Sequence, residues 1–165
     1  MLVYLKKKKY LISSIFVIIL DGIITYLVPS YFNKLNYLYP MLTVSLIPFL
    51  YRFNTKTYYQ FIFILGIIYD LFYSNVIFLN AFIFLMLGII DIKIIKFYKV
   101  NLIIYIILII LNIIIYDFIL FILVYLTNYQ SLTIFDYLYK IKNSIILNIA
   151  FGFILYFIKI KKDNI

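Results

Sequence analysis

The side chains that could do chemistry in this chain are a few carboxylates placed inside long apolar runs. Between residues 58 and 92 the only charged residues are Asp70 and Asp91. Asp21 and Asp117 lie in runs that are nearly as apolar. An acid inside a membrane-spanning helix is costly, and it usually faces the interior of a helix bundle, where it pairs with polar groups or lines a pathway for a solute. Any function must therefore be sought around these acids.

The residue types on which most catalytic sites depend are absent. The 165-residue sequence has no Cys and no His, which excludes disulfides, thiol chemistry, and imidazole acid–base or metal chemistry. No nucleophile lies beside a base, and the sequence has no metal-ligand cluster and no phosphate-binding loop. We therefore predict no catalytic, cofactor-binding or metal-binding residues, and a protein that is not an enzyme.

The composition is that of a membrane protein. Hydrophobic residues make up 67% of the chain, and a soluble domain of this length has no interior large enough for so much apolar surface. The 15 Lys and Arg residues outnumber the 6 acidic residues. Because they flank the apolar runs, we attribute them to topology and to contact with anionic membrane lipid, and we expect no nucleic acid. Residues 1–165 should form a single polytopic membrane domain.

We predict six transmembrane helices, with both termini in the cytoplasm. The lysines at 6–9 followed by an apolar run resemble a signal peptide, but no cleavage site of small residues follows, so we expect a retained first helix. With the N-terminus inside, 12 of the 15 basic residues fall on the inner side, as the positive-inside rule requires. The second helix is short and contains Pro40 and Pro48. The predicted segments of this all-α integral membrane protein are about residues 10–28, 36–51, 57–73, 76–91, 100–126 and 143–158.

Polar residues within these helices should collect in the outer leaflet. Three Asp residues fall past the midpoints of helices that run outward, and two Asn residues and one Ser fall near the starts of helices that run inward. Either these groups hydrogen-bond one another and hold the helices in register, or they line an outward-facing cavity or groove that receives a partner or a solute. The predicted polar layer consists of Asp21, Asp70, Asn80, Asp117, Ser144 and Asn148.

Two further polar features have local interpretations. Asp91 and Lys93 at the inner end of the fourth helix suggest an interfacial ion pair. The outer stretch 127–141 is not apolar enough to span the membrane. Thr133 and Asp136 fit a capping box there, which would start a short helix on the membrane surface; an ordinary loop is the alternative.

The third and fourth helices resemble the rod-shape-determining MreD family. The resemblance lies in the run GIIYDLFYSN at 66–75, which contains Asp70, followed by LNAF at 79–82 and by Gly88. The YPML run at 39–42, Asp117, and the final segment with Asn148 also fit the family. One departure is clear, because the family usually has a glycine early in the fourth segment where this chain has Ile77-Phe78. The missing glycine bears on how closely the third and fourth helices pack against each other.

The resemblance implies a non-catalytic scaffold in the bacterial cytoplasmic (inner) membrane. MreD-like proteins belong to the cell-wall elongation complex, which maintains rod shape and lateral peptidoglycan synthesis. The implied partners are an MreC-like single-span protein, a RodA-type glycosyltransferase, a class-B penicillin-binding transpeptidase and, indirectly, MreB filaments. The outer polar layer would be where a partner docks.

Two other functions remain open from the sequence. The MreD architecture is similar to that of the six-helix substrate-binding subunits of energy-coupling-factor vitamin transporters, so the chain could capture a vitamin for an ATPase partner. It could also carry ions or protons on Asp21, Asp70 and Asp117.

Overall fold

The computed structural model describes residues 2–27, 41–50, 55–74, 76–98, 101–127 and 134–163. These residues form helices, and no strand occurs among them. The all-helical fold predicted from the sequence is therefore confirmed for this part of the chain. The helices are α1 (Leu2–Leu27), α2 (Leu42–Leu46) with a 3-10 turn at Ile47–Leu50, α3 (Thr55–Tyr73), α4 (Leu79–Phe97), α5 (Leu102–Thr127) and α6 (Ile134–Asp163).

The outer surface of the bundle is apolar. Large hydrophobic side chains are more than half exposed on most of the long helices, for example Phe16, Leu71, Phe82, Ile103 and Ile146. Two stretches, α5 and residues 137–158 of α6, are long and apolar enough to cross a membrane. Only 33% and 18% of these stretches is buried inside the molecule, so most of their apolar surface faces outward.

Helices α3 and α4 form a close antiparallel hairpin. Gly66 makes this possible, because a Cβ there would lie 2.7 Å from the backbone nitrogen of Ala81 and 2.8 Å from the backbone oxygen of Asn80. At the turn, Phe78 adopts a left-handed backbone with φ of 72°, a conformation that favours glycine. A strained phenylalanine thus occupies a turn position that favours glycine, and the close packing depends on Gly66 of α3.

The segment around α2 lies in the centre of the bundle. Every residue from 41 to 50 is buried. Met41, with φ of 40°, precedes α2, and Phe49 stacks on Tyr105 of α5 with ring centroids 4.3 Å apart. The helix and 3-10 turn together extend only about 15 Å, half of the hydrocarbon core. The rest of the predicted second segment, 36–40 and 51, lies outside the described residues.

Helix α6 begins earlier than the sequence suggested. It starts at Ile134 and is continuous to Asp163, so residues 134–141 extend the last helix. They form neither a separate surface helix nor a loop. Thr133, the predicted cap, lies outside the described residues.

Candidate functional site

Asp70 caps the helix that follows its own. Its Oδ1 accepts hydrogen bonds from the backbone nitrogen and the Nδ2 of Asn80 at 3.0 and 2.7 Å, and its Oδ2 accepts one from the backbone nitrogen of Ala81 at 3.3 Å. The first N–H groups of a helix have no partner within the helix, and they attract negative charge. The side chain of the N-cap residue Phe78 forms no capping hydrogen bond. The Asp70 carboxylate of α3 accepts the hydrogen bonds of the first turn of α4 instead.

The same arrangement occurs at α2. Oδ1 of Asp21 accepts a hydrogen bond from the backbone nitrogen of Leu42 at 2.6 Å. Its Oδ2 accepts one from the backbone nitrogen of Thr43 at 2.8 Å, and the Thr43 hydroxyl donates to the same oxygen. Here too the preceding residue, Met41, is left-handed and provides no side-chain cap. Two of the three predicted acids therefore hold the start of a neighbouring helix.

Asp117 is the member of the polar layer that forms an ion pair. The Nζ of Lys140 lies 2.7 Å from its Oδ1, and the side chains are 28% and 1% exposed respectively. This pair joins α5 to the first turns of α6. The sequence places Lys140 in the outer stretch 127–141. In the structure its charge balances the buried carboxylate of Asp117.

Asn148 ties α6 to the central segment, and Ser144 hydrogen-bonds within α6 itself. The Ser45 hydroxyl donates to Oδ1 of Asn148 at 2.5 Å, and Nδ2 of Asn148 donates to the Ser144 carbonyl at 2.7 Å. The Ser144 hydroxyl donates to the carbonyl of Ile141 at 3.0 Å. These bonds are separate from those of the three acids, so the structure divides the predicted layer into an acid-containing part and this α2–α6 contact.

Asp91 does not form the interfacial pair expected with Lys93. It is fully buried, whereas Lys93 is exposed. Nδ2 of Asn112 donates to Asp91 Oδ2 at 3.0 Å, while Oδ1 of Asp91 and Oδ1 of Asn112 have no hydrogen-bond partner among the described residues. The interfacial pair was wrong because a buried amide on α5 contacts Asp91 instead. Asn112 was visible in the sequence as a lone amide in an apolar helix.

A cavity of about 280 Å³ lies beside the acids. It is bordered by Asp21 and Thr25 of α1, Tyr69 and Tyr73 of α3, Tyr116 of α5 and Lys140 of α6. Asp70 is connected to the cavity through two hydrogen bonds. The hydroxyl of Tyr116 donates to Asn80 Oδ1 at 2.7 Å, and Nδ2 of Asn80 donates to Asp70. Asp117 reaches it through Lys140. The sequence could not single out the three tyrosines among the 19 in the chain.

The described residues contain no group of three or more acidic side chains that could hold a metal ion. The site is therefore a set of helix caps, one ion pair and a tyrosine-lined cavity. No known family model matches this sequence, and no curated protein or solved structure matches it significantly. What the chain does must be argued from the arrangement of these residues.

Proposed function

We propose that this chain is a non-catalytic membrane scaffold of the MreD type, acting in the cell-wall elongation complex of a bacterial cytoplasmic membrane. The observation that supports the proposal is the set of contacts that the intramembrane acids make between helices. Asp21, Asp70 and Asp117 each contact a different helix from their own, so they hold the bundle together. Asp70 is also the acid of the motif by which the chain resembles MreD.

The contacts support six crossings with both termini on the cytoplasmic side. The hydroxyl of Tyr73, at the end of α3, donates to the carbonyl of Ile18, in the second half of α1, at 2.6 Å. This contact supports a parallel course of the two helices, with a return of the chain across the bundle between them. Residues 41–50 make part of that return, from the Asp21 end to Tyr58 at the start of α3, whose hydroxyl lies 3.3 Å from the Ile47 carbonyl.

In a scaffold, a partner's segment should dock at the outer end of the bundle, where the acids and the cavity lie. The partner that we propose is an MreC-like single-span protein, with a RodA-type glycosyltransferase and a class-B penicillin-binding transpeptidase in the same complex. Exposed apolar side chains at this end, Leu71 and Tyr125 among them, would contact the partner's membrane segment.

Depletion of the protein in its bacterial host tests this function. Rods should become spheres, and incorporation of wall precursor along the side wall should fall. A copy carrying Asp70→Ala should fail to restore rod shape, whereas Lys93→Ala, on the exposed inner surface, should restore it. Normal rods and normal side-wall insertion after complete depletion would refute the scaffold.

The cavity favours one second candidate, a substrate-binding subunit of an energy-coupling-factor type transporter. A cavity of about 280 Å³ is close to the lower end of small-molecule sites, roughly 300–1,000 Å³. This candidate requires an ATPase partner and uptake of a vitamin that is lost when the gene is deleted. Genes for MreB-like and MreC-like proteins beside this one would favour the scaffold, and ATPase genes would favour the transporter.

A further inference from the structure

The cavity between α1, α3, α5 and α6 combines a carboxylate with aromatic rings. Asp21 is 3% exposed and borders the cavity together with Tyr69, Tyr73 and Tyr116. The rings of Tyr69 and Tyr73 lie with centroids 4.9 Å apart and planes inclined at 53°, so they form a corner. Tyrosine faces beside a carboxylate are the surroundings that proteins use to hold quaternary ammonium groups.

The charges around the cavity leave one negative group without a cation. The ammonium of Lys140 is matched by Asp117 at 2.7 Å. Among the described residues, no Lys or Arg forms a salt bridge with Asp21, which accepts its hydrogen bonds from uncharged donors on Leu42 and Thr43. A buried carboxylate without a counterion is costly in a low-dielectric interior. A cationic ligand in the cavity would supply the missing charge.

We propose that this cavity binds a small organic cation, a quaternary ammonium or an amine, through the Asp21 carboxylate and the faces of Tyr69, Tyr73 and Tyr116. The cavity reaches the exterior beside Thr25, which is exposed, and Tyr73, which is 45% exposed. A ligand can therefore enter without unfolding the bundle. The proposed binding requires neither the scaffold function nor the transport function. Loss of rod shape tests the scaffold, and loss of ligand binding tests this proposal, so the two can fail separately.

Three probes of similar shape test the role of charge. The full-length protein, purified in detergent, is titrated with choline, with its neutral isostere 3,3-dimethyl-1-butanol and with the anion 3,3-dimethylbutanoate. Unfolding temperature and calorimetric heat are followed. Choline should raise the unfolding temperature in a saturable way, whereas the alcohol and the anion should not. An equal effect of choline and the alcohol, or no effect of choline, would overturn the proposal. Binding of the anion alone would also overturn it, and would assign recognition to Lys140.

Variants then test which side chains recognise the cation. Tyr69→Leu keeps the apolar bulk and removes one ring face, and it should weaken choline binding on the order of tenfold. Asp21→Asn should weaken choline binding at least as much. If Asp21→Asn fails to fold, Tyr69→Leu still tests the site. The matched control is Tyr98→Leu, at an exposed tyrosine outside the cavity, which should leave the affinity unchanged. Equal losses in Tyr69→Leu and Tyr98→Leu would contradict the proposed site.

Discussion

Asp70→Ala should be among the most damaging single substitutions in this helix bundle. The carboxylate accepts hydrogen bonds from the backbone nitrogens of Asn80 and Ala81 and from the Asn80 side chain, and it is 1% exposed. Removing it leaves three buried N–H donors without an acceptor, at about 1 kcal/mol or more each, and removes a charge–dipole interaction of about 0.3–1 kcal/mol. We expect a loss of roughly 3–5 kcal/mol in the free energy of unfolding.

Asn101→Ala provides the matched control. The side chain of Asn101 caps α5, accepting from the backbone nitrogen of Ile104 at 2.9 Å, but it is exposed and water or lipid headgroups can replace it. Its loss should cost about 0.5–1 kcal/mol. Asp70→Asn, which keeps one acceptor oxygen, should fall between the two, at about 1–2 kcal/mol. Unfolding in mixed micelles of increasing SDS content measures all three. If Asp70→Ala costs no more than Asn101→Ala, the capping role is refuted.

Four other single substitutions and one double variant probe the hairpin and the ion pair, each by the same unfolding assay. Gly66→Ala should destabilise by about 1–3 kcal/mol because its Cβ would meet the backbone of α4. Gly88→Ala should cost less, since the nearest atom is the end of a flexible side chain; equal costs would contradict the backbone contact. Phe78→Asn should stabilise by about 0.5–1 kcal/mol, because Asn tolerates the left-handed backbone better than Phe does, and a destabilised variant would show that the ring contacts matter more than the strain. Lys140→Met should cost about 2–4 kcal/mol by leaving Asp117 unpaired, and adding Asp117→Leu should recover most of this loss; a double variant no better than the single would rule out the pair.

Helices α3 and α5 could be predicted from the sequence because their ends are marked by polar residues, whereas the fourth predicted segment, 76–91, ends six residues before α4 does. The third predicted segment, 57–73, matches α3 within two residues, and the fifth, 100–126, matches α5 equally well. The start of α6 could not be predicted in this way. Residues 134–142 contain two lysines, which argue against a membrane segment, and one of them is accommodated only because it meets Asp117 of α5.

The acids of the candidate site could be predicted from the sequence, but the residues that they contact could not. The carboxylates stand out from an apolar background in the sequence. Thr43 and Ser45 do not, because their partners lie 22 and 103 residues away in the chain and no local pattern connects them. The tyrosines of the cavity were hidden for a different reason. With 19 tyrosines in the sequence, only the folded arrangement of α1, α3 and α5 distinguishes the three that line the cavity with Asp21.

The contacts of the two capped helices join residues at very different distances along the chain. Asp70 and Asn80 are 10 residues apart, so the α3–α4 hairpin can close as soon as both helices have been synthesised. Ser45 must wait for Asn148, which is synthesised 103 residues later. We therefore expect the innermost segment of the protein to be the last to settle, and chains truncated before α6 to be degraded by cellular proteases faster than the full-length chain.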